Sequence, residues 1–489
     1  MRRLLSTFPP YPFSLPPSPF PFVAPASRSG IGASKPCMRT RFNRRAVFIF
    51  VVIAAIGSAF VAASCGNKRS LRKGIPGAAV AVAPARRELT PLPVRPLSPA
   101  LEALRRRVMV GVAATRELPW QRDAGMSELS GWEYGTRAKE LADTLAGDEL
   151  RALSRLAVAG GMLPEGTDLA TLAASFAAAS AGATYSPHDK RVLILAGQGA
   201  DAPARDESLI MHEYVHALQD QHFDLLKLLA ARPYNFDRAE AAFAVVEGDA
   251  MNVQRRREQT DAVWSRRTLE EIGRSEDARF GQYRHEIGAF FPPLLTDTFI
   301  FRYRDGTRFV EAVRRKTGAR GIDELFRRPP TSSEQVLHPE KYFANEGARE
   351  AGLDEGQFAA NNWTVAATTP LGELGVRGLL LKYLTAAEAA RAATGWGGDR
   401  AYLFERARDT PLFVWKTLWD KPEDAAEFFR AYNVMCNKTG ARREGESDPA
   451  QVAWRDGARL TLVRLEGDQV VVIRGAEADA RGALEFARR

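Results

Sequence analysis

The sequence predicts a mainly helical α+β fold with a small sheet set beside one central helix. Three observations predict it. Residues 209–229 run without Gly or Pro and carry His212, Glu213 and His216 behind a short apolar lead-in, and a run with no breaker of this kind reads as a helix. Upstream, Arg191 to Leu195 (Arg-Val-Leu-Ile-Leu) is a short apolar stretch that follows the turn residues Pro187 and Asp189, which reads as a buried strand. Around them, Leu101, Leu104 and Val108, then the Ala- and Leu-rich stretch from Leu141 to Leu172, repeat at helical spacing.

Taken in order, the chain opens with a segment that cannot pack. Residues 1–37 hold eight Pro between Phe8 and Ala26, and Pro removes the donors that a packed element needs. Met38 then opens a basic stretch, followed by the apolar run Ala46 to Ala63 and by Ala-Ala-Ser-Cys-Gly at 62–66. This is the grammar of a bacterial lipoprotein signal over 38–64, with Cys65 as the lipidated first residue and translation beginning at Met38. It predicts export, with a lipid anchor in the cell envelope. Residues 65–100 mix Lys and Arg with Gly, Pro and Ala and read as a flexible tether.

The 489 residues are 45% hydrophobic, ample for a sizeable core. The net charge of +9 says little, because residues 1–64 hold eight Lys or Arg and no acid, which leaves +1 for the rest. A nucleic-acid partner is therefore not expected. The cysteines are Cys37, Cys65 and Cys436; with the first untranslated and the second acylated, neither an internal disulfide nor a Cys-based metal site is expected.

On a helix at 3.6 residues per turn, His212 and His216 fall on one face a turn apart, so both imidazoles can hold one cation. Glu213 lies on the neighbouring flank, placed to take a proton from a metal-activated water without being a ligand. Zinc suits this set. A hydrolytic zinc site wants a third ligand, and two residues compete. His222, six residues after His216, points roughly 280° away from His212 if the helix continues. Only a break near Gln219 would bring it back, and Gln in a left-handed conformation costs on the order of 1 kcal/mol. Glu247 is preferred. It lies in a second predicted helix with Glu240, Phe243, Ala244 and Met251 on its face, where Gly248 and Ala250 permit close helix contact.

The stretch His-Glu-x-x-His-Ala-Leu-Gln-Asp-Gln-His-Phe-Asp-Leu, the later Val-Glu-Gly-Asp-Ala, Pro-Pro-Thr-Ser-Ser-Glu-Gln-Val-Leu-His-Pro-Glu-Lys-Tyr (329–342) and Gly-Trp-Gly-Gly-Asp-Arg (395–400) resemble a family of bacterial and archaeal zincin-type metallopeptidases, many of them predicted lipoproteins. The resemblance implies a zincin-like metallopeptidase fold with a small sheet next to the metal helix, and a zinc cofactor. In that arrangement a strand edge beside the metal helix can pair with an extended peptide substrate. A carboxylate ligand from a second helix is the gluzincin solution, whereas the His222 spacing is that of metzincins without their Gly. Where thermolysin-like gluzincins have an Asp four residues after the ligand Glu, this chain has Met251, so support for the ligands must come from elsewhere.

Farther along, residues 256–330 are expected to be helical and charged, with interruptions at 290–293 and at Asp305-Gly306. Pro339 keeps His338 out of helical geometry, and His338 or Tyr342 is expected to stabilise an oxyanion. His285 reads as a surface residue and His188 as a turn residue. Residues 360–430 are expected to alternate Ala- and Leu-rich helices with a tight glycine turn at 395–398, pinned by an Asp399–Arg400 ion pair. Residues 459–473 read as a β-hairpin turning at Glu466-Gly467-Asp468.

Together these readings predict one zincin-like catalytic domain over 101–489. It would be a membrane-anchored zinc metallopeptidase cleaving peptide or protein substrates, with His212, His216 and Glu247 as ligands and Glu213, His338 and Tyr342 as catalytic groups. The alternative is a non-catalytic zinc-binding or scaffold lipoprotein of the envelope. The intact Glu213 favours the enzyme, since a structural zinc has no use for a base beside it.

Overall fold

Two crossing helices set the frame on which everything else is placed. The computed structural model describes residues 89–487 apart from 94, 146–147, 170, 173–182, 197–206, 230–233, 289–290, 408 and 446–447. The Pro-rich segment, the signal sequence, Cys65 and the tether as far as residue 88 lie outside the described residues. No helix among the described residues is long and apolar enough to cross a membrane. Leu89 and Leu97 already pack on the core, and Arg95 pairs with Glu133. The segment expected as tether up to residue 100 is thus laid against the fold from Leu89 onward, because its leucines find apolar surface there.

The main elements in chain order are α1 (Pro99–Arg116), β1 (Gly125–Leu129), α2 (Gly131–Leu145), α3 (Asp148–Ala159), β2 (Ala183–Ser186), β3 (Arg191–Leu195), α4 (Glu207–Phe223), α5 (Phe236–Gln259), α6 (Leu269–Gly288) and α7 (Pro293–Ile300). A π-helical turn, Phe301–Asp305, leads into α8 (Gly306–Arg327). Then come β4 (Thr364–Thr369), α9 (Gly372–Leu380), α10 (Ala386–Ala393), β5 (Trp396–Glu405), β6 (Leu412–Trp419), α11 (Pro422–Lys438), β7 (Arg442–Glu444), β8 (Gln451–Asp456), β9 (Arg459–Glu466), β10 (Gln469–Ala476) and α12 (Glu477–Ala487). The fold is α+β.

Helix α5 begins where the Asn235 side chain accepts the Arg238 amide at 2.9 Å, a side-chain cap. It is then buried along most of its length. Burial on all sides requires its charges to be paired, and they are. Glu240 takes a two-pronged bond from Arg302 at 2.6 and 2.7 Å, Asp249 meets Arg116 at 2.9 Å, and Arg255 meets Glu276 at 3.0 Å. Close approach of α8 depends on glycine at both sides of the crossing. A Cβ on Gly248 would lie 2.3 Å from the Gly306 carbonyl oxygen, and one on Gly306 would lie 2.3 Å from that of Ala244.

The first sheet has the order β1-β3-β2, with β1 parallel and β2 antiparallel to β3. It lies beside α4, as expected. However, β3 is the central strand, paired on both sides, so it has no edge to offer a peptide. The edge strands are β1 and β2, and the four residues of β2 are all buried.

The second sheet is larger than the expected hairpin. Seven antiparallel strands run in the order β4-β5-β6-β10-β9-β8-β7, and β9–β10 is the hairpin read from the sequence. Residues 360–430, expected as alternating helices, supply three of the strands. The Gly395–Arg400 stretch turns only at Gly395 (φ 82°); from Trp396 on it is strand β5, with a register shift between Trp396 and Gly398. Asp399 makes no ion pair with Arg400. Its buried carboxylate accepts the amides of Leu371 and Gly372 and the indole N–H groups of Trp396 and Trp415, which ties β5 and β6 to the start of α9. Both faces of the sheet are covered: Trp415, Val470 and Val472 face one core, and Val414, Val471 and Ile473 face another.

Asp237, at the start of α5, accepts the Ser333 amide at 2.8 Å and the Ser333 hydroxyl, and that hydroxyl accepts the Leu374 amide at 3.1 Å. Burial pushes the Asp237 carboxyl up to about 8, with the Ser333 bonds opposing and the charges of Asp399 and Glu334 adding. Burial likewise raises Glu334 to about 7 against the pull of Lys341.

Two expected outcomes follow from this packing. Gly248→Ala should lose about 3 kcal/mol of stability in urea unfolding, because two backbones collide, whereas Gly135→Ala, in an open helical position, should be neutral or slightly stabilising. The raised Asp237 carboxyl is protonated in the fold and ionised in the unfolded chain between about pH 4 and 8, so stability should fall as pH rises through that window. Asp237→Asn, which keeps the acceptor for Ser333, should flatten that slope in urea midpoints measured from pH 5 to 8.

Candidate metal centre

Helix α4 runs unbroken through Gln219 to Phe223, so His222 stays on the far side. Its Nε2 donates to the Pro119 carbonyl at 2.7 Å, and its Nδ1 accepts from the Gln121 amide at 3.1 Å. The residue that joins the two histidines is Glu247 from α5. Its Oε2 lies 3.3 Å from Nε2 of His212 and 3.6 Å from Nε2 of His216. The ligand atoms of the three side chains all lie within 4.8 Å of one another.

Two glutamines decide which imidazole nitrogens carry protons. Gln219 uses its amide N–H groups on the Val246 carbonyl and on Asp249, both at 3.0 Å, so its Oε1 faces Nδ1 of His216 at 2.8 Å and accepts from it. Gln254 uses its amide N–H groups on Ser208 and Glu258, which turns its Oε1 to Nδ1 of His212 at 3.2 Å. With Nδ1 protonated on both rings, each Nε2 presents a lone pair. Two Nε2 lone pairs and a carboxylate oxygen therefore converge in a buried space with no donor among them. A cation resolves that convergence. The 3.3 and 3.6 Å separations also suit the edge of a tetrahedron with bonds of about 2.0–2.2 Å, which is about 3.3–3.5 Å.

The electrostatics agree with the donor set. Burial is the largest effect on His212 and lowers its pKa, which favours the neutral ring. Neutral imidazole and ionised carboxylate are the ligand forms of these groups. Burial raises the Glu213 carboxyl well above its ordinary value, opposed by a hydrogen bond from the Tyr185 amide and reinforced by Glu247. That bond, 2.7 Å from the amide of strand β2 to Oε2, fixes the carboxylate. Its Oε1 is buried with no hydrogen-bond partner among the described residues, as is Oε1 of Glu247.

The rest of the motif is a scaffold for this arrangement. Asp220 receives the Tyr185 hydroxyl at 2.5 Å and the Lys190 ammonium at 2.7 Å, clamping β2 and its turn to α4. Gln219, considered in the sequence only as a place where the helix would have to break, is instead the group that orients His216. Gln254 lies at helical spacing from Glu247 on the same element, and that spacing was the one signal for it.

The structure does not bring His338 or Tyr342 to the site. The His338 ring pairs with Glu373 at 3.0 Å, which together with the adjacent charges raises its pKa despite burial. The Tyr342 hydroxyl donates to the Arg328 carbonyl at 3.1 Å, and its ring packs edge-on against Phe309. Neither touches His212, Glu213, His216 or Glu247; Pro339 starts a short separate helix, Pro339–Phe343, with His338 at its N-cap. The tyrosine beside the cluster is Tyr303, stacked on His212 at 6.1 Å and 24° within the π-helical turn. Only the through-space packing of that turn on α5 places it there.

Residues 362–485 match a sequence family described as a domain of unknown function, DUF8575. The matched stretch starts at the second sheet's first strand and ends in α12, so it leaves His212, His216 and Glu247 outside. No curated protein and no solved structure matches the chain.

Proposed function

We propose that the chain is a zinc-dependent hydrolase acting on peptide bonds, exported and held at the cell envelope through Cys65. The observation that carries the zinc reading is the convergence of the Nε2 atoms of His212 and His216, each ring turned by a glutamine behind it, on the Glu247 carboxylate. His212, His216 and Glu247 would hold the ion. When bound, zinc supplies a Lewis acid that brings the acidity of water close to neutrality.

The protein's own part in the reaction belongs to Glu213. Its Oε2 is pinned by the Tyr185 amide, so Oε1 is the atom that takes a proton from the attacking water and passes it to the leaving nitrogen. Tyr303, beside His212, helps to fix that ring. Resemblance in the HExxH, Val-Glu-Gly-Asp-Ala and Ser-Glu-Gln-Val-Leu-His-Pro segments supports a zinc hydrolase, and substrate profiling separates a peptide bond from another amide as its target.

A second reading has one observation in its favour. The four site residues are at most 4% exposed, a degree of burial common for a structural ion and restrictive for a polymeric substrate. In that reading the chain is an exported zinc-binding scaffold with no turnover.

One set of measurements separates them. Full-length protein purified with its anchor in detergent should hold about one zinc per chain by elemental analysis, lost in Glu247→Ala and kept in His222→Ala. Against a fluorogenic peptide library the wild type should turn over, and Glu213→Gln should retain zinc while losing at least about 100-fold in rate. Zinc retained with no turnover in any condition would leave the scaffold reading, and no zinc after reconstitution would end both. Gln219→Met, which removes the partner of His216 without altering a ligand, should weaken zinc about 10- to 100-fold in chelator competition.

A further inference from the structure

A cavity of about 290 Å³ opens between the turn after α3, the C-terminal half of α11 and strands β8 to β10. It is separate from the metal cluster and shares none of its residues. Its walls are of two kinds. Leu163, Met435, Trp454, Tyr383 and Tyr432 supply apolar and aromatic surface. Lys382, from the turn that ends α9, and Arg474, from β10, supply positive charge.

The charges in it do not balance locally. Arg459, a third cation on the rim, is matched by Glu165 at 2.6 Å. Arg474 donates to the Ala159 carbonyl at 2.8 Å, and its nearest carboxylate, Asp456, is 3.7 Å away on a side chain that is 70% exposed. Lys382 has no acidic partner among the described residues; its ammonium is 3.4 Å from the Gly161 carbonyl. Burial lowers the pKa of Lys382, and the charge of Arg474 lowers it further. Two cations that repel each other at the mouth of a partly apolar cavity are relieved by an anion, and a carboxylate or phosphate oxygen is the group both recognise.

The apolar wall narrows the choice. Met435, Trp454 and Leu163 are at most 5% exposed and line the cavity; an anion with an aromatic or branched apolar body covers the edges they still expose, whereas a bare inorganic anion does not. The volume is at the low end for ligand sites and suits a body of about ten non-hydrogen atoms. Nothing in the cavity points to chemistry. Cys436 lies in its wall, but burial pushes the thiol up to about 12, so it is a neutral, unreactive group there.

We propose that this cavity binds a small organic carboxylate, its anionic end between Lys382 and Arg474 and its apolar body against Met435, Tyr383 and Trp454. The site lies in the half of the chain that carries the second sheet, and it functions whether or not the metal centre turns over.

Calorimetric titration of the full-length protein with benzoate, phenylacetate and 4-methylvalerate tests this. At least one should bind saturably below about 10 mM, with 2-phenylethanol and inorganic phosphate each at least about tenfold weaker. Lys382→Met should weaken that binding by about tenfold or more with an unchanged melting temperature, since Lys382 is exposed and holds only a long contact. Arg474→Met should do the same and serves as the second variant, read only if its melt is normal. No saturable binding of any of the three carboxylates, equal binding of the alcohol or of phosphate, or unchanged affinity in Lys382→Met would each overturn the proposal.

Discussion

The contact between Gly248 and Gly306 is the constraint on which the site depends. Any side chain at either position would push α5 and α8 apart, and Glu247 is the residue next to the contact. Its carboxylate reaches two imidazoles on α4 only because α5 lies as deep as it does. The same crossing sets the π-helical turn against α5, which is how Tyr303 comes to lie on His212 and Arg302 on Glu240.

A helix so deeply buried cannot carry unpaired charge, and α5 carries six charged residues among its buried positions: Asp237, Glu240, Glu247, Asp249, Arg255 and Arg256. Five have partners that neutralise them or, for Asp237, an environment that keeps its proton. Glu247 differs. Its neighbours are two imidazoles whose protons have been drawn to the opposite ring nitrogen by Gln219 and Gln254. The buried pairs elsewhere on α5 contribute rigidity and register more than net stability, and what they hold in register is this carboxylate.

The second sheet meets the helical half through the ends of elements. Asp399 on β5 binds the first amides of α9, and Asp237 on α5 binds Ser333, whose hydroxyl accepts another amide of α9. Four chain segments thus meet at two buried carboxyl groups, which makes this junction sensitive to pH while the two cores that flank the sheet are not.

The sequence by itself determined the helix with His212 and His216, the second helix with Glu247, the strand before them, the C-terminal hairpin and the α+β class. Each of these is local: a breaker-free run, a spacing of four, a turn flanked by β-branched residues. What the tertiary structure decided is everything that required two distant segments to meet. It brought Glu247 rather than His222 to His212 and His216, because α4 does not break at Gln219 and α5 lies across it. It revealed Gln219, Gln254 and Tyr303 beside the two histidines and moved His338 and Tyr342 away from them. It also set three strands, β4 to β6, among the helices of residues 360–430. Leu412 to Trp415 is buried on both faces of the sheet, so it shows no alternation, and an apolar run without a period does not say whether it is helix or strand.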